Sequence, residues 1–325
     1  MILSDRRALA CALVLVVAAC ADPTASPSST AVAPSLAVVG DNEPFAVSGY
    51  LAGIDRQAAA RGLPIAVARA ERLLTASAPA QTPRLIFAND RQLRLQSRWV
   101  PSDIRRLATD ATLSYGVFAP LAQATVGGSA EAAFDASFAT WNSVTCSKLA
   151  VRKRAIPAGQ LPSFILTGFF PPADINDVGF VPGELFDLIF GAGASQFTVG
   201  VTVTFTFIQT DAAGVPILDP NGNPIPTDVD RDGRDDTAFK EVWFNDALAY
   251  STTGAPGTID IESAALHEHG HALELGHYGK IVGDLKTGKL HVSPRAVMNA
   301  ILIDTQRAPL GTDNAALCGA YADLN

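Results

Sequence analysis

The spacing of the apolar positions changes along the chain, and each period predicts a different element. Residues 129–144 carry apolar side chains at helical spacing, which predicts an amphipathic helix. Its apolar stripe consists of Ala133, Phe134, Phe138 and Trp141. Residues 197–208 alternate valine or phenylalanine with threonine, and this period of two predicts a strand. Another helix is predicted to begin after Ser48, which can cap it, and to run to Arg61 with Gly62 as its stop.

Shorter apolar runs indicate further strands. Leu113–Val117 is a candidate strand, and residues 65–67 and 85–87 are apolar stretches nearer the N-terminus. Residues 155–197 are rich in proline and glycine and hold only short apolar pieces. We interpret that region as an irregular excursion on the sheet.

The composition is that of a globular protein with room for one or two domains. The 325 residues are 48% hydrophobic and 17% charged. The net charge of −8 and the absence of a basic run argue against a nucleic-acid partner. Four cysteines are too few for a disulfide scaffold.

Residues 1–20 have the organisation of an export signal. A basic pair precedes an apolar run, Ala8–Ala19, of 12 residues, whereas crossing a bilayer takes about 20. The ending Val-Ala-Ala-Cys resembles the lipobox of bacterial lipoproteins, which implies that Cys20 is lipidated and holds the protein at a membrane of the cell envelope. The alternative is ordinary cleavage after Ala21, which would release a soluble, secreted protein.

The rest of the chain divides into three parts. Residues 21–44 are rich in Ser, Thr, Pro and Ala and are predicted to form a flexible tether. Residues 45–97 are interpreted as a small separate unit, either a propeptide removed on activation or an N-terminal subdomain. This segment contains no cysteine, so it cannot place a thiolate on a metal. Residues 98–325 are predicted to form one catalytic domain.

Four of the five histidines lie within eleven residues of one another. His267 and His271 are one helical turn apart on the same face, so both can bind one zinc ion, and Glu268 beside them can take a proton from zinc-bound water. His277 becomes a third ligand only if the chain leaves the helix after His271. His269 faces about 200° away from His267 and is predicted not to bind the metal.

This stretch resembles the long zinc motif of the metzincin peptidases, His-Glu-x-x-His-x-x-Gly-x-x-His, and within them is most similar to the matrixins, the matrix-metalloproteinase group and its bacterial relatives. Glu274 stands where that family has a glycine, which ends the helix with a positive φ. A non-glycine residue in that conformation costs about 1 kcal/mol. The departure affects the expected path to His277 more than the ligation.

A second resemblance lies downstream. Ala296–Ala300 is similar to the metzincin methionine turn, which would place Met298 beneath the zinc. The turn follows His277 by 21 residues, more than is usual in matrixins. The resemblance implies that this longer loop forms the wall of the primed-side substrate pocket. Its polar residues include Lys280, Lys286, Lys289 and His291.

The resemblance implies an α+β fold. A twisted, mostly parallel sheet with one antiparallel edge strand would pack on two long helices, one of them residues 129–144, and residues 312–321 would form a closing helix. Glu241–Asp246 is similar to the matrixin edge strand, to which substrate adds as an antiparallel strand. The implied function is an exported, monomeric zinc endopeptidase acting on a protein or peptide substrate.

Two other functions remain open. A metzincin-fold binding or adhesion lipoprotein with little turnover is suggested by Glu274 and by the long loop before Met298. A zinc peptidase on the shorter gluzincin plan would take a downstream glutamate, instead of His277, as its third ligand.

A run of aspartates suggests a second metal. Alternate carboxylates followed by Gly233 suit calcium and resemble the first half of an EF-hand loop, although the twelfth position is Phe239 instead of glutamate. The candidate ligands are Asp228, Asp230 and Asp232, with Asp235, Asp236 or Glu241 replacing the missing glutamate. A solvated acidic turn is the alternative.

Two cysteines remain in the predicted catalytic domain, Cys146 after the long helix and Cys318 in the C-terminal segment. In an exported protein such a pair tends to form a disulfide. The alternative is two buried thiols.

Overall fold

The computed structural model describes residues 48–76, 85–89, 94–107, 112–118, 128–284, 287, 289–322 and 324. The predicted export signal with Cys20 and the predicted tether lie outside these residues. The helices are α1 (Gly49–Ala60), α2 (Ala130–Asn142), α3 (Phe164–Thr167), α4 (Gly183–Phe190), α5 (Ile261–Ala272) and α6 (Gly311–Ala320). The strands are β1 (Ile65–Thr75), β2 (Leu85–Asn89), β3 (Ser97–Arg98), β4 (Leu113–Val117), β5 (Val151–Lys153), β6 (Ile175–Val181), β7 (Thr198–Phe207), β8 (Asp235–Asn245), β9 (Tyr250–Ser251), β10 (Ile259–Asp260), β11 (Gly279–Asp284), β12 (Lys289–Ser293) and β13 (Ile301–Leu302).

The fold is α+β and is built on a mixed sheet with strand order β13-β1-β7-β8-β6-β4-β5, to which β3 adds beside β8. The strand β7 runs antiparallel to both of its neighbours, and the other strands are parallel to one another. The expectation of one antiparallel strand is therefore confirmed, but its expected position at the edge is wrong, because β1 lies beyond β7.

Residues 241–246 are not an edge strand either. Residues 241–245 form the second half of β8, which pairs with β6 on one side and with β7 on the other. Ten of the eleven residues of β8 are buried, which is what a strand covered on both faces requires. The interpretation of residues 155–197 as irregular missed the strand β6, because its buried Asn176, Asp177 and Gly179 give it a polar appearance.

The described part of residues 45–97 does not fold apart from the predicted catalytic domain. The strand β1 is an inner strand of the central sheet, and α1 packs beside it. Their apolar side chains join those of β7, β8 and α4 in one buried cluster, because neither element can bury its own apolar face alone. The members from the N-terminal segment are Leu51, Ile54, Ala58, Ile65, Val67 and Ala70.

The two long helices pack together on the other face of the sheet. The helix α2 begins at its N-cap Ser129 and buries the predicted stripe, so the helix predicted over residues 129–144 is confirmed. The indole Nε1 of Trp141 donates a hydrogen bond of 2.9 Å to the carbonyl oxygen of Leu266 in α5. A disulfide bond between Cys146 and Cys318 joins the segment after α2 to α6, with the two Cα atoms 5.4 Å apart.

The loop expected before Met298 is a hairpin. Its strands β11 and β12 pair with each other, and β11 also pairs with β2 from the N-terminal segment, which makes a separate three-stranded sheet. In the described part of the chain, no helix has both the length and the apolar character needed to cross a bilayer.

Candidate metal centre

The three predicted metal ligands converge in the structure. The helix α5 ends at Ala272, and the chain turns at Glu274, which has a φ of +70°. That turn returns His277 to the two histidines of the helix. The Nε2 atom of His277 lies 3.3 Å from Nε2 of His267 and 3.1 Å from Nε2 of His271. All three side chains are buried, and no glutamate belongs to this group among the described residues.

The protons on these rings can be assigned from their second contacts. The Nδ1 atom of His267 lies 2.7 Å from the carbonyl oxygen of Val297, and Nδ1 of His271 lies 2.7 Å from that of Leu275. A carbonyl oxygen only accepts, so both Nδ1 atoms carry the proton and both Nε2 atoms present a lone pair. Burial, followed by the neighbouring histidines, lowers the pKa of His271 well below its ordinary value, which favours the neutral form.

Three ring nitrogens that converge at this distance can hold a cation between them, and their spacing is compatible with zinc. Four-coordinate zinc with Zn–N bonds of about 2.0–2.1 Å separates its nitrogen ligands by about 3.3–3.4 Å. The two Nε2 separations made by His277 are 3.3 and 3.1 Å. Three imidazoles are also the protein ligands of some catalytic zinc sites, in which a water molecule takes the fourth position.

Glu268 lies on the same helix, fully buried against β1 and β7. Its Oε2 accepts a hydrogen bond of 2.7 Å from the Thr202 hydroxyl, and its Oε1 accepts one of 3.2 Å from the Leu73 amide. Burial raises the pKa of Glu268 to about 8, although these two hydrogen bonds act in the opposite direction. Gly200 makes room for it, because a Cβ there would lie 3.0 Å from Glu268 Cγ and Oε1.

Met298 packs against helix α5 at Gly270. A Cβ atom at Gly270 would overlap Met298 Sδ, so a glycine is required where the helix crosses this residue. The turn is held by Asp313 of α6, whose carboxylate accepts hydrogen bonds from the amides of Val297 (2.9 Å) and Met298 (3.1 Å). Asp313 was missed by the sequence analysis, because nothing in its local pattern connects it to a turn 15 residues earlier.

His269 lies apart from the three convergent histidines. Its Nδ1 contacts Ser137 Oγ, its Nε2 lies 2.8 Å from Asp177 Oδ1, and its ring stacks on Phe138 with centroids 3.8 Å apart. This order of serine, histidine and aspartate is that of a nucleophilic triad. All three side chains are fully buried, however, so the serine cannot reach a substrate, and the set connects α2, α5 and β6.

The strand β1 passes alongside the candidate site. It pairs with β7 on one side, where Leu73 lies opposite Gly200, and with β13 on the other, where Leu74 lies opposite Ile301. The Oε2 atom of Glu71 in β1 lies 3.7 Å from Nδ1 of His277. The C-terminal end of β1 borders a cavity of about 540 Å³. This arrangement was not predicted from the sequence, because the pairing of β1 with strands as distant in sequence as β7 and β13 leaves no local signal.

The structure brings three of the predicted calcium ligands together. Carboxylate oxygens of Asp228, Asp230 and Asp232 lie within 4.8 Å of one another at the surface. The Asp228 carboxylate also accepts hydrogen bonds of 3.0 Å from the amides of Asp232 and Gly233, which shapes the loop. One oxygen of Asp232 is 2.7 Å from Nη1 of Arg98, which competes with a cation for that carboxylate.

The other acidic candidates do not belong to this group of three carboxylates. Asp236 forms an ion pair of 2.7 Å with Arg105. Asp235 is outside the group, and burial raises its pKa to about 6. Glu241 is fully buried and accepts a hydrogen bond of 2.8 Å from Ser163. None of these three carboxylates joins Asp228, Asp230 and Asp232, so none replaces the glutamate that is missing from the twelfth position of the loop.

Comparison of the chain with known protein families and with curated proteins finds no match.

Proposed function

We propose that this chain is an exported, monomeric zinc endopeptidase of the metzincin type. The observation that carries the proposal is the convergence of the Nε2 atoms of His267, His271 and His277 beside the buried carboxyl group of Glu268. A bound zinc ion would supply Lewis acidity, which lowers the pKa of water to about 7 and polarises a carbonyl group. The substrate class is a protein or peptide that adds to the sheet as an extended strand.

The chain's own groups would manage the proton. Glu268 would take it from water at one carboxylate oxygen and deliver it to the nitrogen of the leaving amine. Thr202 holds the carboxylate from the side of β7. A pKa raised to about 8 by burial lies near the operating range of a general base at neutral pH. The carbonyl oxygens of Val297 and Leu275 would keep the imidazole rings of His267 and His271 oriented.

The position of β1 suggests that this form of the protein is closed. An extended substrate would have to pair with β7 near Glu268, and β1 already occupies that side of β7 from Ile65 to Leu74. Its Leu73 amide also donates to Glu268, the group that would take the proton. We therefore favour the propeptide interpretation of residues 45–97, in which β1 must leave before hydrolysis.

A binding or adhesion protein without turnover is the second candidate. The observation that favours it is the burial of β1, whose Val67, Ala70 and Leu73 belong to the main apolar clusters, as they would in a permanent strand. Both candidate functions predict bound zinc. Hydrolysis of a peptide after displacement of β1 would distinguish them, because only the peptidase would show it.

The metal site can be tested by exchanging neighbouring histidines. We expect the purified protein to hold about one zinc ion per chain and His271→Ala to lose it, because two nitrogen ligands remain instead of three. His269→Gln is the matched control on the same helix and is expected to retain the metal. Elemental analysis after dialysis measures both. Equal zinc content in His271→Ala and in the parent protein would contradict the proposal.

We also propose that the protein is exported, with Cys20 as its lipid anchor.

We propose further that the aspartate loop binds calcium. In that loop burial, and then the charge of Asp232, raises the pKa of Asp230, so the carboxylates repel one another without a cation. Calcium at about a hundredfold excess over its Kd should stabilise the fold by about 2.7 kcal/mol. We expect calcium to raise the thermal unfolding midpoint of the parent but not of Asp230→Asn; an equal rise in both would exclude this loop as the site.

A further inference from the structure

Glu274 has buried partners that a glycine at this position could not have. Its side chain is almost fully buried. The carboxylate accepts hydrogen bonds from Ser97 Oγ (2.7 Å) and Thr237 Oγ1 (2.5 Å) and forms an ion pair of 2.7 Å with Lys240 Nζ. These contacts hold a non-glycine residue in the left-handed region, at φ +70°.

Lys240 connects this turn to the end of the metal-binding helix. Its side chain is fully buried in β8, and Nζ donates a hydrogen bond of 2.8 Å to the carbonyl oxygen of His271. The same ammonium group therefore binds the last turn of α5 and the residue at which the chain turns. A buried ammonium group needs a counter-charge, and Glu274 supplies it.

The residue after Glu274 orients one of the metal ligands. The Leu275 carbonyl oxygen accepts from Nδ1 of His271, and this contact directs Nε2 of that ring toward the other two histidines. Two residues further along the chain is His277. The position of the turn thus decides both the orientation of His271 and the return of His277.

We propose that Lys240 and Glu274 are positioning residues for the metal centre. Their ion pair clamps the turn at Glu274 to the end of α5 so that His271 and His277 meet at one point. This inference rests on the proposed metal site, and it assigns to Lys240 and Glu274 a role that a glycine at position 274 could not perform.

The decisive variant is the double substitution Lys240→Met/Glu274→Gly. The single variant Glu274→Gly leaves Lys240 buried without its counter-charge and is expected to fold poorly. The double variant leaves no unpaired charge buried at this turn, and glycine tolerates the positive φ. We therefore expect it to fold with an unfolding midpoint close to that of the parent. Because the clamp is gone, we expect its zinc dissociation constant to rise by about 10- to 100-fold.

The measurement is zinc competition against a chromogenic chelator, with the unfolding midpoint of the metal-free protein recorded for each variant. The matched control is Arg106→Met/Asp174→Asn, which removes another fully buried ion pair. It is expected to leave the zinc dissociation constant of the folded protein unchanged, even if it lowers the unfolding midpoint. A weakened affinity in the double variant alone supports the clamp.

Two results would overturn the inference, and they differ. Parental zinc affinity in Lys240→Met/Glu274→Gly would show that the turn holds its position without the ion pair, while leaving the metal site intact. Failure of the parent protein itself to bind zinc at the histidines would overturn the proposed function and the clamp together.

Discussion

Replacing Leu73 with proline is expected to raise peptide hydrolysis by about 10- to 100-fold. The Leu73 amide donates to the Glu268 carboxylate, and proline has no amide proton to donate. Loss of one hydrogen bond, worth about 0.5–1.5 kcal/mol net, raises the fraction of open molecules by about 2- to 13-fold, and the disturbed pairing of β1 is expected to add the rest. The proline ring also disturbs the pairing of β1 with β7 at the point where substrate would have to enter. The measurement is the hydrolysis rate of an unfolded protein by the zinc-loaded full chain.

Ala66→Pro is the control for this experiment. Ala66 lies in the same strand and pairs with Thr206, at the far end of β1 from the Glu268 contact. We expect this variant to stay near the parental rate, because the part of β1 beside Glu268 remains paired. Equal rates for Leu73→Pro and the parent would contradict the closed-site interpretation. Equal activation by both prolines would indicate general loosening of β1 instead of local opening.

Glu268→Gln, introduced together with Leu73→Pro, is expected to lower the hydrolysis rate by about 10²- to 10⁴-fold. Glutamine keeps the size of the side chain and an oxygen that can accept from Thr202, but it cannot take a proton from water at neutral pH. Zinc content should not change, since Glu268 is not one of the three convergent ligands. The rate and the zinc content are measured on the same preparation.

A second glutamate of α5 provides the matched control. Glu262 lies in the first turn of the helix, where it pairs with Arg307 at 3.2 Å. We expect Glu262→Gln, in the same Leu73→Pro background, to keep the rate of that background. Hydrolysis that survives in the Glu268→Gln variant would remove Glu268 as the general base, and with it the proposed mechanism.

Elements that depend on neighbouring residues were predictable from the sequence. The stripe of Ala133, Phe134, Phe138 and Trp141 predicted α2, and the structure buries all four side chains. The cap at Ser48 and the strand Leu113–Val117 were also predicted correctly. Each of these signals depends on spacing within one element, and spacing is a direct property of the sequence.

Elements that depend on distant partners were not predictable. From the sequence, β1 was assigned to a small separate unit. Only its pairing with β7 and β13 shows that it belongs to the central sheet. Residues 241–246 were expected at an edge because they resemble the matrixin edge strand, and the residues themselves do not reveal which strands pair with β8. Asp313 gave no signal, because its role depends on where the chain places the amides of Val297 and Met298.

The candidate site divides in the same way. The sequence alone determined that His267, Glu268 and His271 share a helix, since a separation of four residues is one turn. The resemblance to the metzincin motif implied a positive φ at position 274, and Glu274 has a φ of +70° in the structure. The tertiary structure decided the rest: the return of His277, the burial of Glu268 and its contact with Leu73, and the ion pair that holds the turn. These features depend on contacts between residues up to 195 positions apart, which only the packed fold brings together.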